Sequence, residues 1–428
     1  MNNFTRIMCG AAFAAASLGC ASKLSAADVR YAGGDISLLP AYEEAGAVYL
    51  DYTGGPVTGS ALDFFARQGM NIFRVRLFVD PSAFPDNDPN ACQSYDYVLP
   101  ICKRIVAKGL PLMIDFHYSD TWADPAKQWT PAAWASLSDD QLYQKIYDYT
   151  RATLENFKIE GVVPSYIATG NEISYGMMWA PYGAPEAQWK KCYMGSNSNW
   201  ARFTTLLKQA GKACREVCPD AKIVLHTERI AQPDVQKNFY DQMKTYGVDY
   251  DVIGVSYYPY FHGNVSVLDA GLTSLQANFA GKEVMIVEFG YPYKWAVPGS
   301  IFDFSKQYPY SDAGQKKLTE AVVEVARNHT QVNGIIWWWP EYNAYKTTLS
   351  GWYNAPLFDS TNGRACTAVG ALAAYATPLG GIGDVNPDVT ADDPDAPWYN
   401  IQGIRVENPS APGIYIRSGK KYVVKGNL

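Results

Sequence analysis

The chain has 428 residues, 48% of them hydrophobic and only 18% charged, with a formal charge of −6. That is enough apolar material for one large core, and the mild acidity argues against nucleic acid or an anionic membrane surface as a partner. The 31 Tyr and 12 Trp are a heavy aromatic load that also suits stacking on flat apolar ligand faces such as sugar rings.

In chain order, the first segment reads as an address rather than as fold. Arg6 precedes IMCGAAFAAASLGC, an apolar run too short for a stop-transfer helix, so residues 1–27 are predicted to be a secretory signal. SLGC resembles a bacterial lipobox, which would make Cys20 the lipidated first residue, and this reading is preferred. LSAA, ending at Ala27, offers an ordinary cut site instead. The mature protein is expected to be exported: tethered by lipid at the cell surface, otherwise periplasmic or extracellular.

Eight short β-rich runs follow, each trailed by a longer stretch with apolar residues every three or four positions. The predicted strands are 29–35, 71–79, 110–118, 164–172, 222–228, 251–258, 283–290 and 333–340. Strict alternation of strand and helix over residues 28–377 predicts a parallel sheet closed as an α/β (β/α)8 TIM barrel. A doubly wound open sheet is the alternative, but it usually brings a glycine-rich phosphate turn after its first strand, and no G-x-G-x-x-G occurs. Residues 378–395, rich in Pro, Gly and Asp, read as a linker. Residues 396–428 alternate apolar and polar residues between turn signals and predict a small β-hairpin module. That tail resembles the C-terminal tails of exported Bacteroidetes proteins, with sorting and packing roles equally open.

In a barrel, the C-terminal strand ends share one pocket. Here they carry Asp35, Arg74 with Arg76, Asp115 with His117, Asn171-Glu172, His226 with Glu228, Tyr257-Tyr258, Glu288 and Trp337 to Trp339. A single polar strand end is readily explained as a strand reaching water; the joint pattern is not. Glu172 on strand 4 and Glu288 on strand 7 stand across the mouth, and glycoside hydrolysis needs such a pair, one protonated and one ionised. Asp115 is their rival, with a structural place beneath His117 as its alternative.

The motifs YAGGDIS, FRVRLFVDP, DFHYSDTWADP, TGNEI, GVSYYP and IVEFGYP make the chain resemble glycoside hydrolase family 53, the arabinogalactan endo-β-1,4-galactanases, over about residues 30–376. The resemblance implies retaining endo-hydrolysis of β-1,4-galactosidic bonds in pectic galactan, with Glu172 as acid/base and Glu288 as nucleophile. It implies that Arg74 bonds the nucleophile and Asn171 the sugar 2-hydroxyl, and that Tyr257 and His117 line the reacting subsite. Trp122 and Trp338 would stack on sugars, and Asp35, Asp120 and Asp124 would fix hydroxyls or loops. His226 and Tyr258 complete the expected substrate-binding set. Arg74 beside Glu288 is expected to keep that carboxylate ionised. Alternation along strand 8 puts Trp338 in the cleft and Trp337 and Trp339 against helices or loop.

Two departures stand out. Relatives often carry a calcium loop after strand 7, but KWAVPGSIFDFSKQYPYSD lacks its ligand run, and Trp339 stands where relatives often place Glu. No zinc spacing exists and the four His are scattered, so no cofactor is expected, with calcium left open although its usual loop is not seen. Cys92, Cys102, Cys192, Cys214, Cys218 and Cys366 are as readily buried thiols as disulfides. The partner is expected to be galactan or galacto-oligosaccharide, and the protein a monomer. Rival readings are a mannanase or xylanase on the same barrel, or a non-catalytic glycan binder, which would need neither glutamate.

Overall fold

The computed structural model describes residues 29–84, 88–194, 199–347 and 355–376, and the strands between 398 and 424. The predicted signal, Cys20 and the predicted linker lie outside the described residues.

Eight parallel strands close into a barrel: β1 (Tyr31–Asp35), β2 (Ile72–Leu77), β3 (Leu112–Phe116), β4 (Tyr166–Thr169), β5 (Lys222–Thr227), β6 (Val252–Tyr257), β7 (Glu283–Phe289) and β8 (Val332–Trp338). β8 pairs with β1 to close the ring. The strands are apolar on both faces because one face fills the barrel and the other meets the helices. Helices start on side-chain caps where the sequence supplies them: Ser60 with Asp63, and Ser138 with Gln141, form reciprocal capping boxes. Tight closure also needs a residue without a side chain. A Cβ on Gly33 would sit 1.7 Å from the Ile72 carbonyl oxygen of the next strand.

Side-chain alternation sets what the barrel encloses. Ile72, Met113, Val224, Val252, Met285 and Ile336 belong to an apolar floor. Two residues further along their strands, the same faces carry Arg74, Asp115, His226 and Trp338. The sequence therefore places an apolar plug below a polar layer.

Strand ends depart from the expected bounds in ways that matter above that layer. The chain leaves β4 at Gly170, whose φ is +116, so Asn171 and Glu172 stand on the turn beyond the strand. Glu172 itself has φ +47, and Trp339, just past β8, has φ +62. Non-glycine residues in this region cost about 1–3 kcal/mol each.

All six downstream cysteines are free thiols. Among the described residues, no helix is long and apolar enough to cross a membrane. At the C-terminus, β9 (Trp398–Asn400), β10 (Arg405–Val406), β11 (Gly413–Arg417) and β12 (Lys420–Val424) form an antiparallel sheet in the order β10-β9-β11-β12. The expected hairpin is β11–β12, extended by two further strands.

Glu341, two residues beyond Trp339, is fully buried; its Oε1 accepts the Leu38 amide at 2.9 Å and Oε2 has no partner. Burial, reinforced by Asp35, pushes its pKa up from 4.5 to about 8. Below pH 4.5 the carboxyl is protonated whether the chain is folded or not. Between there and pH 8 only the folded chain keeps the proton, so this residue makes stability fall as pH rises. The slope is at most about 1.4 kcal/mol per pH unit. Glu341→Gln should therefore gain stability relative to wild type progressively across that window, measured by urea unfolding at several pH values. Parallel stability curves for the two proteins would rule this out.

Candidate active site

The polar layer is organised around Arg74. Its guanidinium donates to Glu288 Oε1 at 2.9 Å, to Asp115 Oδ2 at 2.5 Å and to Asn171 Oδ1 at 2.7 Å, and lies 3.4 Å from Asp35. Arg76, one alternation further along β2, pairs with Asp35 at 2.7 Å. Its guanidinium carbon sits 4.7 to 5.2 Å from the ring centres of Trp122, Trp338 and Trp339. Two arginines thus carry the buried carboxylates from below and stiffen the aromatic wall above.

Above them opens a cleft of about 520 Å³, lined by Trp122, Asp124, Asn171, Glu172, Tyr258, Glu288 and Trp338 among the predicted residues. A carboxylate oxygen of Glu172 and one of Glu288 lie within 4.8 Å of each other. Glu288 is held by Arg74 and by the Tyr258 hydroxyl, which donates to Oε2 at 2.8 Å. Glu172 has Ser256 Oγ at 2.6 Å from Oε1. Burial lifts Glu172 well above the ordinary carboxylate range, and Glu288 and Glu228 push it further. Burial also raises Glu288, where a depressed pKa was expected, although Arg74 and Tyr258 offset part of that rise. The two environments still differ: a guanidinium and a hydroxyl serve Glu288, whereas Glu172 faces further carboxylates. Asp115, despite its burial, is held well below the usual range by Arg74 and His117.

Other predicted residues sit elsewhere. Tyr257 is fully buried and points away from the cleft: its hydroxyl donates to the Gly263 carbonyl at 3.0 Å and its ring stacks on Phe289. Strand alternation puts Ser256 and Tyr258 on the inner face and Tyr257 on the outer one. His117 does not line the cleft either. It lies beneath Trp122, accepting the Ala123 amide at Nδ1 (3.0 Å) and facing Asp115 at 3.2 Å. Asp35 is fully buried below the cleft, and Asp120 ties loops together by accepting the amides of Asp80 and Ala132. Asp124 is in the cleft, with its Oδ1 turned to the amides of its own loop. His226 is buried behind Glu172, its ring nitrogens 2.9 Å from Asn171 Oδ1 and 2.8 Å from Ser256 Oγ.

Trp339 corrects the expectation for β8. Strict alternation would turn it outward, but its left-handed backbone breaks the alternation, and it lines the cleft with Trp338. Trp337 does face outward, packing edge-on to Phe289 and donating to the Ala355 carbonyl. Sequence reasoning also missed Asp88, which accepts the Trp122 indole N–H at 2.7 Å, and Phe261 and His262 on the cleft wall. The Pro immediately after Tyr258 was the available signal that the chain turns back over the pocket there. Nothing short of the fold brings Asp88 to Trp122.

Glu172, His226 and Glu288 also bring ligand-type atoms within 4.8 Å of one another, a spacing open to a metal ion. The donor set does not favour one: both His226 nitrogens are already engaged, by Asn171 and by Ser256.

A closed barrel with two facing carboxylates of unequal proton affinity, in an aromatic-walled cleft, is the equipment of a barrel glycoside hydrolase. The chain belongs to glycosyl hydrolase family 53, whose family model matches residues 31–372. It is 32% identical over 329 residues to arabinogalactan endo-beta-1,4-galactanase A of Aspergillus niger, a match covering 74% of this chain and 87% of that protein. Among solved structures, the Ignisphaera aggregans GH53 catalytic domain superposes with a TM-score of 0.70 at 29% identity, covering 83% of this chain and 98% of that one. A structure from a study of two fungal beta-1,4-galactanases superposes at 0.68 with 28% identity, covering 80% and 99%.

Proposed function

We propose that this protein is a retaining endo-β-1,4-galactanase acting on the galactan side chains of pectin, with Glu172 as general acid/base and Glu288 as nucleophile. The observation that carries this reading is the carboxylate pair: oxygens within 4.8 Å, in differently tuned surroundings, on a family 53 barrel. Direct attack by a nucleophile needs carboxyls about 5–5.5 Å apart, whereas a water-inserting mechanism needs about 6.5–9.5 Å.

In the first step Glu288 attacks the anomeric carbon while Glu172 passes its proton to the departing glycosidic oxygen. Glu172, now ionised, then takes a proton from water, and the resulting attack frees the sugar from Glu288. Tyr258 and Arg74 keep the attacking carboxylate fixed and charged. Asn171 spends one amide proton on the Ala123 carbonyl and keeps the other for the sugar 2-hydroxyl. Trp122, Trp338 and Trp339 supply the stacking wall. No step calls for a metal or organic cofactor.

The export reading rests on the N-terminal sequence. The signal, and lipid tethering at Cys20, are decided by the mass of the mature N-terminus; a start near Ala27 would exclude the tether. The same reading has the barrel act as a monomer.

Incubated with linear β-1,4-galactan, the protein should release β-configured products first, seen by NMR before mutarotation. Polymer viscosity should drop early, and activity should survive chelator treatment. An α-configured first product would overturn the double displacement. Monomeric galactose released from the start at nearly constant viscosity would overturn endo attack, and hydrolysis of mannan or xylan in preference to galactan would overturn the substrate.

A further inference from the structure

His226 and Ser256 have no part in the steps above, yet both are fully buried directly behind Glu172. The hydrogens in this chain of contacts can be placed by counting donors. Asn171 Oδ1 is an acceptor only; it takes Arg74 Nη2 at 2.7 Å and faces His226 Nδ1 at 2.9 Å. The other end of the amide is fixed, because Nδ2 donates to the Ala123 carbonyl at 2.7 Å. The proton between Asn171 and His226 therefore sits on Nδ1. The Glu172 amide also points at Nδ1, but from 3.4 Å, the longest contact of the set, and a proton on Nδ1 gives up that weaker bond to keep the shorter one to Asn171.

Burial, with Arg74 close by, holds His226 well below its ordinary pKa. The ring is neutral, and Nε2 is a bare acceptor. Ser256 Oγ lies 2.8 Å from Nε2 and 2.6 Å from Glu172 Oε1. A serine has one hydroxyl proton, and satisfying buried Nε2 consumes it. The contact between Ser256 and Glu172 then needs a second proton, and only the carboxyl has one to give.

We infer that His226 and Ser256 form a one-way hydrogen-bond chain that holds Glu172 in its acid form: Glu172 donates to Ser256, Ser256 to Nε2, and Nδ1 to Asn171. When Glu172 gives up its proton, the serine hydroxyl must either turn to the carboxylate and abandon Nε2, or leave the carboxylate unserved. Both choices cost a buried hydrogen bond, and that cost favours the protonated acid. His226 and Ser256 are thus positioning residues. Other groups act on the same site: Glu288 on β7, Glu228 after β5 and Asp124 after β3 face Glu172. Arg74 on β2, with Asp115 and His117 on and just after β3, faces His226. The chain adds to their effect and is separable from it.

This inference rests on Glu172 being the acid of the proposed reaction. The test is kcat/KM against pH for Ser256→Ala on linear galactan, with thermal unfolding followed to verify the fold. The basic limb should move down by about one pH unit, a roughly 10-fold loss beyond it, while the acidic limb stays in place. A hydroxyl that only donated to an ionised Glu172 would give the opposite shift on removal. Upward movement or a stationary limb therefore overturns the chain. A second readout needs no turnover and no folded serine variant. The infrared difference between wild type and Glu172→Gln at neutral pH should contain a protonated-carboxyl band, and its absence overturns the chain as well. Failure to cleave any galactan with that band present would instead remove the proposed activity.

Discussion

Glu172→Gln should lower kcat on linear galactan by about 10²–10⁴, the usual worth of a positioned proton donor. Glu288→Gln should lower it further, on the order of 10⁵ or more, because the covalent route itself is lost. Both variants should stay folded. Gln fills the same space, and at Glu172 it replaces a carboxyl whose burial already favours the neutral form. The two are told apart by the leaving group. An aryl galactoside whose phenol departs without help needs no proton, so Glu172→Gln should form the glycosyl-enzyme at nearly the wild-type rate and stall at its hydrolysis. Glu288→Gln should fail with every substrate. Losses of only a few-fold in folded protein would remove both assignments, and equal losses on activated and unactivated substrates would remove the division of labour.

Arg74→Met should damage fold and chemistry together. The guanidinium touches Glu288, Asp115 and Asn171 and lies near Asp35, all largely buried. Removing the cation leaves buried carboxylates uncompensated, at a cost of about 3–5 kcal/mol in urea unfolding. Glu288 also loses its main stabilising charge, so its pKa should climb from an already raised value and the acidic limb of the activity profile should move to higher pH. Arg74→Lys should recover part of the stability but little of the rate, since a point charge cannot reproduce the fork that joins three partners. A change below about 1 kcal/mol for Arg74→Met would show that Arg76 alone carries the buried charge.

The barrel was legible because its evidence is periodic. Eight apolar runs separated by amphipathic stretches admit few topologies, and each predicted run overlaps a strand. The inward set on β2 and β3 was legible for the same reason, since Arg74, Arg76, Asp115 and His117 lie at even spacing from the apolar floor. Reading failed where the backbone stops being regular. Trp339 was assigned outward by a parity rule that its left-handed φ cancels. Tyr257 was taken from a motif in which two tyrosines adjoin, and only the strand's facing distinguishes them. Asp88 meets Trp122 across loops, a contact between positions 34 apart that no local pattern encodes. Ser256 went unremarked because a strand serine has no signature until His226 and Glu172 are seen on either side of it.

The backbone turn at Trp339 has a consequence for polymer shape. It sets the Trp338 and Trp339 rings 6.2 Å apart and 85° to each other, so the wall is a corner rather than a floor. A flat ribbon of equatorially linked sugars, such as a β-1,4-glucan or xylan, offers its broad faces in nearly one plane and can cover only one side of that corner. In β-1,4-galactan each linkage leaves from an axial oxygen, so the strand veers between successive rings and follows a corner more closely than a flat ribbon does. A corner of this kind is expected to favour a polysaccharide that bends between residues over one that lies flat, by shape before any hydroxyl is read.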